Sequence, residues 1–294
     1  MATYTTYDQV GKKESVADII SDITPFDTPA FTMFKNEKVT ARTFSWLEDS
    51  LASAGSNAAV EGADATMATL IDAVERTNNT QILTKGFQVS ATADAIGTYG
   101  RAKETAHQLA KALKEIKRDA EYAMVGVDQA AVAGSGGVAR QMASVINQIT
   151  TGIDAGANAT DALTEAKLLE AGETAYNNGS DVDTLMIKPG DAQIVAGFSA
   201  SAGRNREIAQ GKTLVNAIDL YVSPYGEYRV VLNRHLKTDT ALLIDPSMFK
   251  TCTLRPFTRT LLAKNGDSDR HHIVGEMSVK HMNFGDSVKI TGLS

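Results

Sequence analysis

From Tyr99 to Val127 apolar residues recur at helical spacing. Ala102, Ala106, Leu109, Leu113, Ile116, Ala120, Ala123 and Val127 follow one another at alternating steps of four and three. Lys103, Glu104, Lys111, Lys114, Lys117, Arg118 and Glu121 fill positions between them. The pattern predicts one long helix with a narrow apolar stripe and charge elsewhere. At about 1.5 Å per residue it would run roughly 40 Å. Before it, Thr43-Phe44-Ser45-Trp46 alternates polar with aromatic, as a half-exposed strand does, and Thr80–Ala91 reads as a second extended run. Between these runs Leu51–Met67 is rich in Ala, Ser, Gly and Asp and has no period. Two strands around such a tip predict a hairpin-like arm, which needs a partner surface because isolated two-stranded ribbons are marginal in water.

After the long helix, Ala133-Gly134-Ser135-Gly136-Gly137 breaks the pattern. Residues 160–177 predict a helix with Ala162, Ala166, Leu169 and Tyr176 toward one side, stopped by Asn177-Asn178-Gly179. Short alternations follow: a strand at Thr184–Lys188, a helix capped by Asp191 and running to Phe198, and a strand at Ala241–Ile244. Ile218–Val222 and Glu227–Leu232 flank the turn Ser223-Pro224-Tyr225-Gly226. Met248–Leu254, Ile273–Met282 and Ser287–Ile290 are extended, and the spacing brings them back beside the long helix after an inserted lobe. In the leader, Ser15–Ile23 predicts a short helix closed by Thr24-Pro25 and Thr28-Pro29. The order is α+β, without a βαβ rhythm.

Composition narrows the function. With 43% hydrophobic and 22% charged residues the chain has the makings of a folded core. A net charge of −6 speaks against a dedicated nucleic-acid binder, though not against a protein that surrounds nucleic acid. Cys252 stands alone in an apolar strand, so it reads as a buried thiol and no intrachain disulfide is possible. Neither a signal-peptide core nor a membrane-length apolar window occurs, so a soluble protein made in the cytoplasm is expected.

Catalytic patterns fail on spacing. His271 and His281 share a strand face but stand roughly 33 Å apart, too far to ligate one ion, and surface or interface histidines are expected at these positions and at His272. Gly211-Lys212-Thr213 ends like a phosphate loop, but Arg206 stands where that loop needs glycine. No Gly-x-Ser-x-Gly elbow is present. Glu48, Asp49, Glu61 and Asp64 on the arm read as a solvated patch or as partners for a neighbour's basic residues. No enzyme activity, cofactor or metal is expected.

The order of leader, arm, spine helix, inserted lobe and returning strands resembles the major capsid proteins of tailed bacteriophages, with their Hong Kong ninety-seven-type fold. The phrases that carry the resemblance are Thr24-Pro25-Phe26-Asp27-Thr28-Pro29, Phe44-Ser45-Trp46-Leu47-Glu48-Asp49-Ser50-Leu51, Glu61-Gly62-Ala63-Asp64-Ala65 and Gln81-Ile82-Leu83-Thr84-Lys85. Tyr99-Gly100-Arg101-Ala102-Lys103-Glu104 continues the series, as do Tyr225-Gly226-Glu227, Asp245-Pro246, Leu254-Arg255-Pro256-Phe257 and Leu262-Ala263-Lys264-Asn265-Gly266-Asp267. The resemblance implies an amino-terminal arm at 1–38, an extended loop at 39–95, and a peripheral domain at 96–180 that resumes at 251–294. An axial domain would occupy 181–250. It implies hexamers and pentamers tiling an icosahedral shell in the virion, assembled in the bacterial cytoplasm around double-stranded DNA without sequence-specific binding. Subunit-interface candidates are Trp46, Glu48, Asp49, Glu61, Asp64, Lys85, Phe87 and Arg255. A scaffold, if used, is expected to be a separate protein, with portal and decoration proteins as further partners. No trio is assigned for a Lys–Asn cross-link. An encapsulin-like nanocompartment shell is the alternative within the fold, and a metal- or nucleotide-dependent enzyme the alternative outside it.

Overall fold

A computed structural model describes residues 27–62, 64, 67, 70–96, 103–156, 162–201, 220–264 and 266–293, with the side chains of 199–201 left aside. The expected leader helix at 15–23, the opening of the spine at 99–102 and the Gly211-Lys212-Thr213 segment lie outside these residues.

The chain begins with α1 (Pro29–Met33), β1 (Lys35–Lys38), β2 (Thr43–Glu48), β3 (Val74–Asn79) and β4 (Gln81–Ser90). Helices α2 (Ala91–Ala95), α3 (Glu104–Glu121) and α4 (Val145–Gln148) follow, then β5 (Thr151–Asp154) and α5 (Glu165–Asn177). The inserted part contains β6 (Thr184–Ile187), α6 (Ala192–Ser201), β7 (Leu220–Ser223), β8 (Gly226–Leu232) and β9 (Thr240–Ile244). The long strands β10 (Phe249–Leu261) and β11 (Ser268–His281) and the short β12 (Val288–Thr291) close the chain.

Among the described residues the strands form three sheets, ordered β1-β10-β11-β4, β5-β12-β9-β6-β8-β7 and β2-β3. Each large sheet has its own core. Ala112, Ile116 and Ala120 of α3 pack with Met124, Ile146, Phe249, Ile273, Met277 and Val279 under the first. Leu168, Ala171 and Ala175 of α5 pack with Leu185, Ile187, Tyr228, Leu243, Val288 and Ile290 under the second.

The spine helix is present, but its buried stripe differs from the expected seam. Ala112, Ile116, Ala120 and Ala123 are buried, Leu109 is half-buried, Ala106 is exposed and Leu113 is 39% exposed. A straight helix on one sheet buries positions about 3.6 apart, so the sevenfold reading drifts off its face at Leu113. A π turn at Tyr122–Gly126 then carries Met124 and Val125 into the core. Helix α5 begins at Glu165, later than expected, and its face is likewise displaced by one position. Leu168, Ala171, Gly172 and Ala175 are buried, while Ala166 and Tyr176 are exposed, Leu169 is half-buried and Ala162 lies ahead of the helix. Gly172 decides this, since a Cβ there would lie 2.4 Å from the Tyr228 hydroxyl.

Two strand pairings also depart from expectation. The partner of β2 is β3, with Trp46 opposite Arg76, and not the 80–91 run. That run is β4, paired antiparallel with β11 from Gln81↔Met277 to Ser90↔Ser268. Leu83 and Phe87 alternate toward the first core, with the buried Val89 on the same face of the strand, which holds β4 in the main sheet. Strand β12 leaves the other returning strands and sits between β5 and β9, where Val288 and Ile290 reach the second core. In the leader, Pro29 opens α1, because an N1 position has no use for the missing N–H. Pro256 falls among the register shifts of the β10–β11 pair, where its missing donor is tolerated, and Gly275 leaves room for the Phe257 ring.

Candidate assembly surface and the root of the arm

The β2–β3 ribbon has two unlike faces. Ser45, Leu47, Glu75 and Thr77 face solvent, while Phe44, Trp46, Glu48, Arg76 and Asn78 turn toward the body. Trp46 lies 5.8 Å from the Phe44 ring and 6.0 Å from Phe284, with Lys280 Nζ 5.6 Å above its indole. Glu48 takes Arg76 Nε at 2.5 Å on one oxygen and the Phe284 N–H at 3.1 Å on the other. Arg76 in turn covers the Phe284 ring at 4.6 Å. The ribbon's inner face is therefore spent on its own chain.

Beyond the ribbon the chain is open. Leu51, Val60, Met67 and Leu70 are each at least 80% exposed, and no helix or strand is formed between Asp49 and Ala73 among the described residues. Among the described residues these apolar side chains belong to neither core, and exposed apolar side chains grouped in this way are a usual mark of an interaction site.

The root of this arm is densely bonded. Asn78 Nδ2 donates to the Val279 carbonyl at 2.6 Å, and Asn78 Oδ1 accepts the Ala143 N–H at 2.8 Å. Gln148 Nε2 donates to the Ala143 and Val279 carbonyls, and its Oε1 accepts the His281 N–H. Two residues after Asn78, Thr80 Oγ1 donates at 2.7 Å to the buried Glu276 carboxylate, which also accepts Arg255 Nε at 2.9 Å and pairs with Arg140. Arg140 Nε also donates to the Thr80 carbonyl at 2.5 Å. A buried carboxylate between two guanidiniums and a hydroxyl has its lone pairs filled, which offsets the cost of taking the charges out of water. These bonds fix the point where the arm leaves the main sheet.

His271 and His281 are buried, which corrects the surface reading for them, while His272 is half-buried. His281 stacks on Phe249 at 4.1 Å and on Phe284 at 5.5 Å, within a column of rings from Phe34 to Trp46. Asp286 Oδ1 and Ser287 Oγ both approach the same His281 nitrogen, Nε2, at 2.7 and 3.4 Å. A catalytic triad needs serine and carboxylate on opposite ring nitrogens with the serine open to substrate, so this trio is not one. His271 lies 4.9 Å from the Phe87 ring, and its Nδ1 accepts Arg259 Nε at 3.2 Å. Burial, then Arg259, hold its pKa below the ordinary imidazole value, against Asp269 and Asp94. Burial pushes the Cys252 thiol up to about 12, which leaves it unreactive. Among the described residues no three metal-ligating side chains converge, and no helix is long and apolar enough to cross a membrane.

The leader is fastened by a residue that sequence reasoning placed on the polar face. Glu121 is fully buried and accepts the Ala30 N–H at 2.9 Å, the Phe31 N–H at 2.8 Å and Asn233 Nδ2 at 2.6 Å. Its pKa is raised, because burial outweighs the three hydrogen bonds.

Of the expected interface residues, Trp46 and Glu48 serve the root as described. Lys85 bridges to Glu115 at 3.1 Å and Asp119 at 3.7 Å on α3, Phe87 packs against the first core, and Arg255 joins Glu276. Asp49, Glu61 and Asp64 are exposed on the open segment, so the acidic residues are not gathered into one site. Glu121, Asn78, Arg140 and Glu276 were not singled out. Only their burial distinguishes them from surface polar residues, and burial depends on which strands pair.

The chain matches a family model described as "SU10 major capsid protein" over residues 2–294. The major capsid protein of Escherichia phage Phieco32 is 31% identical over 330 aligned positions, covering 95% of this chain and 94% of that protein. Among solved structures, the capsid of a native GTA particle superposes with TM-score 0.68 at 12% identity, covering 98% of both chains. The holo-SrpI encapsulin complex of Synechococcus elongatus PCC 7942 superposes with TM-score 0.64 at 9% identity, covering 100% of this chain and 97% of that one.

Proposed function

The chain belongs to the SU10 major capsid protein family and is a phage major capsid protein of the Hong Kong ninety-seven-type fold, and on that footing we propose how its parts build the shell. The open arm lies across a neighbouring subunit. The exposed apolar side chains Leu51, Val60, Met67, Leu70 and Ile71, which belong to neither core, are the observation that carries this. Asp49, Glu61 and Asp64 are the proposed polar contacts along that run, and Leu47 and Thr77 line the ribbon's free face. Because Trp46, Glu48, Lys85, Phe87 and Arg255 are engaged within the subunit, their part in the interface is to set the arm's direction.

The proposed division follows the sheets. Residues 39–80 form the extended loop. The peripheral domain contains α3 and the sheet β1-β10-β11-β4, so 81–90 goes with it. The axial domain is built on the six-stranded sheet and takes in β5 and β12 as well as 181–250. Hexamers and pentamers of this unit would enclose double-stranded DNA, with scaffold, portal and decoration proteins as further partners and assembly in the bacterial cytoplasm. Each contact can be weak, about 4 kcal/mol for a millimolar pair, because every subunit makes several.

Electron microscopy of the purified protein, alone and in crowding salt, tests this. Shells or capsomer rings tens of nanometres across, on the order of many subunits joined by closed heterologous contacts, are expected. A uniform monomer that stays so with phage lysate supplying scaffold would overturn it. Shells that capture cellular enzymes and never DNA would favour a nanocompartment.

A further inference from the structure

The outward face of α3 carries a one-signed charge stripe. At about 100° per residue, Lys103, His107, Ala110, Lys111, Lys114, Lys117 and Arg118 fall within an arc of about 120°. The four lysines are exposed and Arg118 is half-exposed. Of the carboxylates of the helix only Glu121 falls inside that arc, past Arg118 at the helix end. Glu104 sits at its edge, Asp119 turns toward Lys85, Glu115 lies between Lys85 at 3.1 Å and Lys111 of the stripe at 4.0 Å, and Glu121 is buried under α1. The stripe extends past the helix end, since Arg118 and Arg234 both act on His235, whose pKa burial and these cations hold low against Asp27. At its other end Asp94 accepts the Thr105 N–H at 3.0 Å and feels the charge of Lys103. In a chain of net charge −6 such segregation is not a by-product of a basic composition.

We propose that this face of α3 lies on the inner wall of the shell and meets the phosphate backbone of duplex DNA. The inference rests on the reading of the chain as a DNA-enclosing capsid protein. From Lys103 to Arg118 the stripe runs roughly 22 Å. That is about six base pairs of duplex at 3.4 Å per step. A protein partner would need apolar anchors at the centre of the contact. The arc has only Ala110, and Leu113 stands outside it. Point charges without base-reading side chains fit sequence-independent phosphate contact.

The test uses the full chain and the variant Lys111→Gln, Lys114→Gln, Lys117→Gln, in which glutamine keeps helix propensity. Subunits or capsomers are titrated with a short fluorescein-labelled duplex at several salt concentrations. The slope of log affinity against log salt should fall by about 2.7 in magnitude, at 0.9 per lost phosphate contact. An unchanged slope overturns the proposal. Lysine acylation mass spectrometry then locates the face: Lys111, Lys114 and Lys117 should be protected in filled particles and react once DNA is released. Reaction in filled particles puts the face outside, and protection in both states puts a protein on it; either result overturns the proposal. Absence of wild-type particles counts against the enclosing reading alone, because the duplex titration still decides the stripe.

Discussion

The Glu121 carboxylate, at the buried end of the spine helix, accepts the backbone N–H of Ala30 at 2.9 Å. It thereby satisfies the first donors of α1 from 91 residues away, and the leader is anchored there. Glu121→Gln keeps an acceptor but turns an amide toward these N–H groups. The variant should lose about 1–3 kcal/mol, the cost of an unsatisfied buried donor. The pKa of Glu121 is raised in the fold, so its contribution is fully present below the ordinary carboxylate value and is lost as pH rises through the folded value. The stability gap between wild type and the glutamine variant should therefore narrow as pH rises. Urea denaturation across pH checks this, and a widening gap contradicts it.

Removal of the Glu276 carboxylate strands Arg140 and frees the Thr80 hydroxyl at the arm root. Glu276→Ala should cost about 3–5 kcal/mol, as expected when one member of a buried pair is deleted. The double variant with Arg140→Ala should cost less than the sum of the two single changes, because the second change removes the charge the first left unpaired. Strict additivity in thermal melts would show that the pair is not coupled.

The corrected stripe of α3 separates two neighbouring residues. Ile116→Ala should cost about 2–5 kcal/mol. Leu113→Gln, on the exposed side, should stay within about 0.5 kcal/mol. Leu113→Pro should still break the helix, at about 3 kcal/mol or more, with loss of helical circular dichroism and of soluble yield. Equal costs for Ile116→Ala and Leu113→Gln would restore the heptad seam.

Trp46, the sole tryptophan, is 9% exposed in the isolated subunit, between Phe44, Phe284 and Lys280. Its emission should already be that of a buried indole before assembly and change little on shell formation. Strong acrylamide quenching in free subunits, lost in shells, would place it at the subunit interface instead.

Much of this fold is legible along the chain. The α3 segment, the hairpin turn between β7 and β8, and the β9, β10 and β11 strands follow from local period and turn residues, which act over a few positions. The pairing of β2 with β3 does not, because β4 is equally extended and only the distant β11 decides which run joins the main sheet. The final strand reads the same in either sheet, and the second core selects it for Val288 and Ile290. Glu121 and Glu276 look like ordinary polar residues at polar positions. Their burial depends on α1 and on Arg140 and Arg255, which sequence spacing does not bring near. The open stretch after β2 was legible as a segment outside both cores, since small and polar residues without period leave it no core of its own.

Deletion of the arm tip, Ala52 to Met67, tests the central claim most directly. The described residues of that stretch belong to neither core, so the subunit should keep its circular dichroism and melting temperature. Sedimentation and electron microscopy should find it unable to form stable shells under conditions where the full chain does. Particles of normal size and stability from the shortened chain would contradict the claim that the arm joins subunits.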